Sequence, residues 1–219
     1  MSRAKTIKTR QNYCQIQLEN LSKLDIPAQA KQLGLSCEAD GRAAADFLGR
    51  KLYVDDKSVV SADDRPVPLD AQSVVAHYLA SQGRAELSGV FVPIGRLTGI
   101  GVTASSPSEN LTKPLSEKIG DRYDVFAEAA PKIGGRHMGV SPAGAQSWEF
   151  GLPRLPVRIE FFEADDEFDA EIKVLFDSTA NQYVSYECLE LLTMCVVVEL
   201  LMAAKLINDP DDCQNSFLQ

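Results

Sequence analysis

Histidine is almost missing from this chain: two occur in 219 residues, His77 and His137. A structural zinc site takes about four nitrogen or sulfur ligands. Neither histidine stands at ligand spacing from the other or from a cysteine. The five cysteines, at 14, 37, 188, 195 and 213, form no CxxC pair. Cys188 and Cys195 lie two helical turns apart, about 10 Å of rise, too far for a disulfide. The odd count, with no apolar run behind the first basic residues, predicts reduced thiols in a cytoplasmic protein. Signatures of nucleophilic, metallo-hydrolase, kinase and nucleotide chemistry are also missing: there is no GxSxG, HExxH or GK[ST]. No cofactor is expected.

Long hydrophobic runs are missing too. The greasiest stretch, Leu191–Ala204, is bracketed and broken by Glu190 and Glu199, which leave eight uncharged residues between them. A membrane-spanning helix needs about 20, so no membrane partner is expected. Positive charge is scarce, with a net charge of −9 and a pI near 4.8. Phosphate binding needs basic surface, so nucleic acid is excluded as a partner. The exception is residues 1–10, where Arg3, Lys5, Lys8 and Arg10 give +4. This basic arm is either a solvated terminus or a segment that docks on an acidic surface.

What is present is a 45% apolar composition, enough for a real core. A chain of this length buries about 70% of its unfolded surface. The most informative stretch is 155–177. Val157, Ile159 and Phe161 alternate with Arg158, Glu160 and Phe162; Ile172, Val174 and Phe176 alternate with Lys173 and Leu175. Period-two alternation predicts two strands. Their spacing suits an antiparallel hairpin whose connection holds Glu163, Asp165, Asp166, Glu167 and Asp169.

Elsewhere, Cys14, Leu18, Leu21 and Leu24 predict a helix over 10–24, and Pro27 opens a short second one that ends near Gly34. Residues 36–45 read as a loop. FLGRKLYV at 47–54 and Ser58–Ser61 read as a hairpin turning at 55–57, with Gly49 as a bulge or bend. Asp70 suits the N-cap of a helix over 71–82 closed by Gly83. Phe91–Arg96 is a strand or a turn. Helices are expected from Ser108 to Ile119 and over 121–133, with Gly134-Gly135 as the stop. Residues 139–147 read as a small-residue loop. The final helix spans 185–206. It is apolar on every face, so it must be covered nearly all round, within the chain or by a homo-oligomer interface.

Strands and helices mix without regular βαβ alternation. The fold class is therefore α+β: a mainly antiparallel sheet packed by helices, with a long buried C-terminal helix. The expected organisation is the basic arm 1–10, a single domain over 11–207 and a polar tail from 208 to 219.

Five places carry candidate chemistry. Asp165, Asp166 and Glu167 are oxygen ligands for a divalent cation, or else a solvated hairpin tip that blunts edge pairing. Arg96, Gly99 and Gly101, with Ser105-Ser106 beyond them, offer backbone amides and a cation to an anion, or else a plain bend. His77 falls off the apolar stripe of its helix and is a ligand contact or a flanking residue. His137 sits in the turn-like GGRHMG. Trp148, Tyr183 and Tyr186 line a pocket or pack in the core.

Several segments together resemble a domain-of-unknown-function family of proteins from anaerobic bacteria and archaea. They are FLGRKLYV, VVAHYLASQG, LSGVFVPIGRLTG, KIGDRYDVFAEAAPKIGG, LPRLPVRIEFFEADDEFDAEIKVLFD and the final helix, in that order over about 18–204. Asp166-Glu167-Phe168 and the strand Val174–Asp177 are the most specific. The resemblance implies an anaerobe setting; some relatives are linked to iron–sulfur or corrinoid one-carbon metabolism. This chain departs from those relatives: no cysteines are spaced for a cluster, and Gln182 stands where some carry histidine. The leading expectation is an accessory or small-ligand-binding protein without catalysis of its own, acting on an unidentified protein or small-molecule partner. The alternative is a small metal-dependent or acid–base enzyme using the acidic loop 163–169.

Overall fold

A computed structural model describes residues 3–97 and 107–210, and for 3–7 and 107–110 the backbone alone. The first helix, α1, runs Arg3–Leu21. It starts seven residues before the expected point and takes in most of the basic arm. The second, α2 (Ile26–Gln32), is capped by Asp25, whose side chain accepts the Ala28 N–H at 3.0 Å. Pro27 sits in its first turn, where a missing N–H costs nothing.

Residues 36–45 are not a loop. They hold β1 (Ser36–Cys37) and the start of β2 (Ala43–Phe47). The run Ala43-Ala44-Ala45 has low strand propensity, but all three side chains are buried, and burial overrides the local preference. FLGRKLYV is likewise split. Phe47 ends β2 and pairs with Arg50, the first residue of β3 (Arg50–Val54). Leu48 and Gly49 form the two-residue turn, with φ of 48° and 76°. Positive φ at both positions marks a hairpin turn that follows strand twist. Gly49 is required there, because a Cβ would stand 2.6 Å from the Lys132 carbonyl oxygen. The expected turn at 55–57 joins β3 to β4 (Val59–Ser61), and the four strands form an antiparallel meander.

The third helix, α3, runs Leu69–Leu79. Asp70 is not its N-cap. Pro68 holds that position without a side-chain bond, and Asp70 lies inside the first turn, drawn to Arg10. After it come β5 (Phe91–Val92), the single turn α4 (Ile94–Leu97), α5 (Pro107–Ile119) and α6 (Tyr123–Ala129). A 3-10 turn at Ala130–Ile133 closes on Gly134 in the left-handed conformation.

The second sheet follows: β6 (Arg136–Val140), β7 (Gln146–Leu152), β8 (Leu155–Phe162) and β9 (Glu171–Asp177), with β5 added beside β9. β8 and β9 are antiparallel neighbours, Ile159 opposite Val174 and Phe161 opposite Ile172. Part of the expected loop 139–147 is therefore strand. β6 leaves no sequence signal because it is an exposed edge with a bulge between His137 and Gly139, so no alternation marks it.

The last helix, α7, runs Tyr186–Ala203 behind the N-cap Ser185. It packs on α3, α5, α6 and the 3-10 turn. The architecture is α+β, with two antiparallel sheets and a buried C-terminal helix. One buried apolar cluster draws on both sheets and on α7. No described helix is long and apolar enough to cross a membrane.

Candidate functional site

Where α7, the β2–β3 turn and the segment leading into α3 meet, they leave a cleft of about 200 Å3. Its floor is one face of α7: Met194, Cys195, Val198 and Glu199, at helical spacing. One wall is Phe47, Leu48 and Leu52. The other is Val67, Pro68, Leu69 and Ala71, with Pro210 at the rim. Leu48 is one of three described non-glycine residues with positive φ. Such a conformation costs about 1–3 kcal/mol and persists only where surroundings hold it. Here it leaves a buried Leu48 side chain on the cleft wall.

Four charged side chains line this apolar space. Arg10 reaches across from α1 to place Nη1 3.1 Å from the Asp70 carboxylate. Burial raises the Asp70 pKa, and Arg10 only partly offsets it. Arg50 donates from its Nη atoms to the carbonyl oxygens of Arg65 at 3.1 Å and Pro66 at 3.3 Å. It also lies 3.6 Å from Asp63. Its Nε is sealed from solvent and has no hydrogen-bond partner. Burial raises the Glu199 pKa against the opposing pull of Arg50 and Arg65. Burial also pushes the Cys195 thiol well above its usual value, as for a thiol packed as a small hydrophobe. Perturbed carboxylates in an apolar cavity are a physical mark of a binding site.

None of these residues was singled out as a site from the sequence. Glu199 carried a signal, as an acid deep inside an apolar helix. Arg10 carried only the clustered charge of the basic arm, and Arg50 carried none, because the fold brings them from distant positions.

The expected site residues lie elsewhere. Asp165, Asp166 and Glu167 are exposed at the β8–β9 tip. The Asp165 carboxylate accepts the N–H groups of Glu167 and Phe168, both at 2.8 Å. This is a side-chain-closed turn. Among the described residues, no group of three or more His, Cys, Asp or Glu is placed to hold a metal ion. Arg96 is exposed on α4, while Gly99, Gly101, Ser105 and Ser106 lie outside the described residues.

His77 is half-buried. Its Nδ1 is 2.8 Å from the Tyr13 hydroxyl, which is itself 3.5 Å from Ser185 Oγ. Burial lowers the His77 pKa although Glu187 opposes it, and burial raises Tyr13 to about 12. This cluster ties α1 and α3 to the start of α7.

His137 is on β6 beside Gln146 and Trp148. The aromatics do not gather as one pocket lining. Trp148 packs with Phe126 and donates to the Tyr123 hydroxyl, whereas Tyr183 lies against Tyr78.

An α+β protein with a charged-rimmed apolar cleft is the class that the geometry defines. Residues 25–199 match the family model described as Domain of unknown function (DUF3786), and the chain belongs to that family. The match includes Arg50, Asp70 and Glu199 and stops short of Arg10. No curated protein and no solved structure matches the chain.

Proposed function

We propose that this is a small-ligand-binding accessory protein, without catalysis of its own, and that the cleft over α7 is its site. The observation that carries the reading is an apolar cavity of about 200 Å3 lined by charged groups. An apolar cavity of ~150 Å3 suffices to hold benzene, so the space admits a compact organic molecule. The Cys195 thiol, held protonated by burial, suits an apolar floor for a bound molecule. A cytoplasmic setting and reduced thiols accord with four cysteines that are free in the described structure. Self-association through α7 would use its half-buried residues outside the cleft, Leu191 and Met202.

Native mass spectrometry of protein purified from its own host, before and after denaturation, tests the reading. The expected result is a bound small molecule that leaves on unfolding. Val67→Trp, which fills the cleft, is expected to remove it from a folded protein. A ligand-free native protein, or unchanged binding by the filled variant, would overturn the assignment.

A further inference from the structure

Each charge on the cleft lining can be followed to its partner. Arg10 is engaged by Asp70 at 3.1 Å, and its Nη2 also faces Met194 Sδ at 3.7 Å. The Nη groups of Arg50 are taken by two backbone carbonyls and by Asp63. Its remaining donor, Nε, has no accessible surface and cannot be reached from the cavity. Glu199 is different. It is half-buried and makes no hydrogen bond or ion pair among the described residues. The lining therefore holds one uncommitted charged group, and that group is an acceptor.

We infer that the cleft takes a small apolar amine, bound as its ammonium ion by Glu199 with its hydrocarbon body between Leu48, Leu52 and Val67. This rests on the ligand-binding role proposed above and names the class of ligand. An ammonium carries three donors, and a charge-assisted bond to a carboxylate is about twice as strong as a neutral one. A carboxylate ligand would have to compete for arginines that are already engaged, Arg10 by Asp70 and the Nη atoms of Arg50 by Asp63 and two backbone carbonyls. It would also stand beside Glu199 as a like charge. The positive charges of Arg50 and Arg65 oppose an ammonium, but Asp63 lies 3.6 Å from the first and 2.6 Å from the second and offsets them. The field of a chain with net charge −9 further favours the approach of a cation over an anion.

The test is calorimetric titration of the full chain at pH 7 with hexylamine, hexanol and hexanoate, which share a body and differ in head group. Hexylamine is expected to bind at least about tenfold more tightly than the other two. Glu199→Gln is expected to abolish that advantage. If hexanol or hexanoate binds as tightly as the amine, and Val67→Trp blocks them, the cleft is a ligand site but the amine assignment is wrong. If none of the three binds, or Val67→Trp leaves binding unchanged, the ligand-binding role itself falls. The comparison among ligands on the unaltered protein decides the matter even if the Glu199 variant does not fold.

Discussion

Arg10 and Asp70 meet at 3.1 Å, joining the first helix to the third across the mouth of the cleft. Each side chain keeps about a fifth of its surface exposed, 20% and 19%. Removing one partner leaves the other charge poorly solvated, which costs more than the pair contributes. Arg10→Ala should therefore destabilise the protein by about 1–3 kcal/mol. Arg10→Met with Asp70→Asn should recover part of that loss, because no charge is stranded. A double-mutant cycle in urea melts measures the coupling. A loss below about 0.5 kcal/mol for Arg10→Ala would mean that the pair is solvated.

Glu199 should leave a signature in the pH dependence of stability. Burial raises its folded pKa above the ordinary 4.5, so the folded state holds this proton more tightly than the unfolded one. The resulting stabilisation is fully present below 4.5 and is lost as pH rises through the folded value. Glu199→Gln cannot lose it. The stability of the variant minus that of the parent should therefore grow upward from pH 4.5 and then level off. Paired urea melts across this window read the difference. A constant difference would show that Glu199 titrates alike in both states.

Asp177 should behave in the opposite sense. Its carboxylate accepts Ser88 N–H at 3.1 Å, Gly89 N–H at 2.8 Å, Thr179 N–H at 3.0 Å and the Thr179 hydroxyl at 2.7 Å. Burial alone would raise its pKa, but these bonds together outweigh burial and hold it below 3.8. Its stabilisation is present above pH 3.8 and is lost as pH falls through the lower folded value. Asp177→Ala removes the acceptor and strands several donors, at a cost of about 2–4 kcal/mol near pH 7. The gap between variant and parent should shrink in acid. Equal stability at pH 7 would show that the 88–90 segment is held by other means.

Divalent ions should leave the melting temperature unchanged. Asp165, which closes the turn at the acidic tip, already accepts two N–H groups of that turn. A rise in melting temperature with millimolar calcium or magnesium, abolished by Asp165→Asn with Glu167→Gln, would revive the loop as a metal site.

The parts of this fold that were legible are those where burial and side-chain size alternate together. β8 reads plainly because Val157, Ile159 and Phe161 are large, apolar and fully buried, while Arg158, Glu160 and Phe162 are not. α7 reads plainly because its apolar run is too long for a strand. β2 was hidden because alanine carries little strand preference, and its burial is imposed by neighbours far along the chain. β6 was hidden because an exposed edge has no buried face to pattern it. The cleft was the least legible feature. Arg10, Arg50 and Asp70 look like ordinary surface charges, and only tertiary contacts assemble them. Asp70 illustrates the cost of a local rule: its residue type suited a cap, but Pro68 fixed the helix start two residues earlier. Glu199 alone was conspicuous, since an acid inside so apolar a helix needs a compensating environment.

The final helix yields the largest expected effects. Leu189, Leu192, Val196 and Leu200 are fully buried, in a helix that packs on α3, α5 and α6. Truncating such a leucine removes its transfer free energy and leaves a void that the surrounding helices fill only in part. Leu192→Ala and Leu200→Ala should each cost about 2–5 kcal/mol, a large share of the ~5–15 kcal/mol total for a domain. Leu191→Ala, at a half-buried position on the other side, should cost clearly less than either. Urea melts of the three variants test this ordering. If Leu191→Ala matched the other two, that stripe would be covered in solution, and a melting temperature that rises with protein concentration would identify a second copy of the chain as its cover. Losses below about 1 kcal/mol at both Leu192 and Leu200 would show that α7 is peripheral to the core.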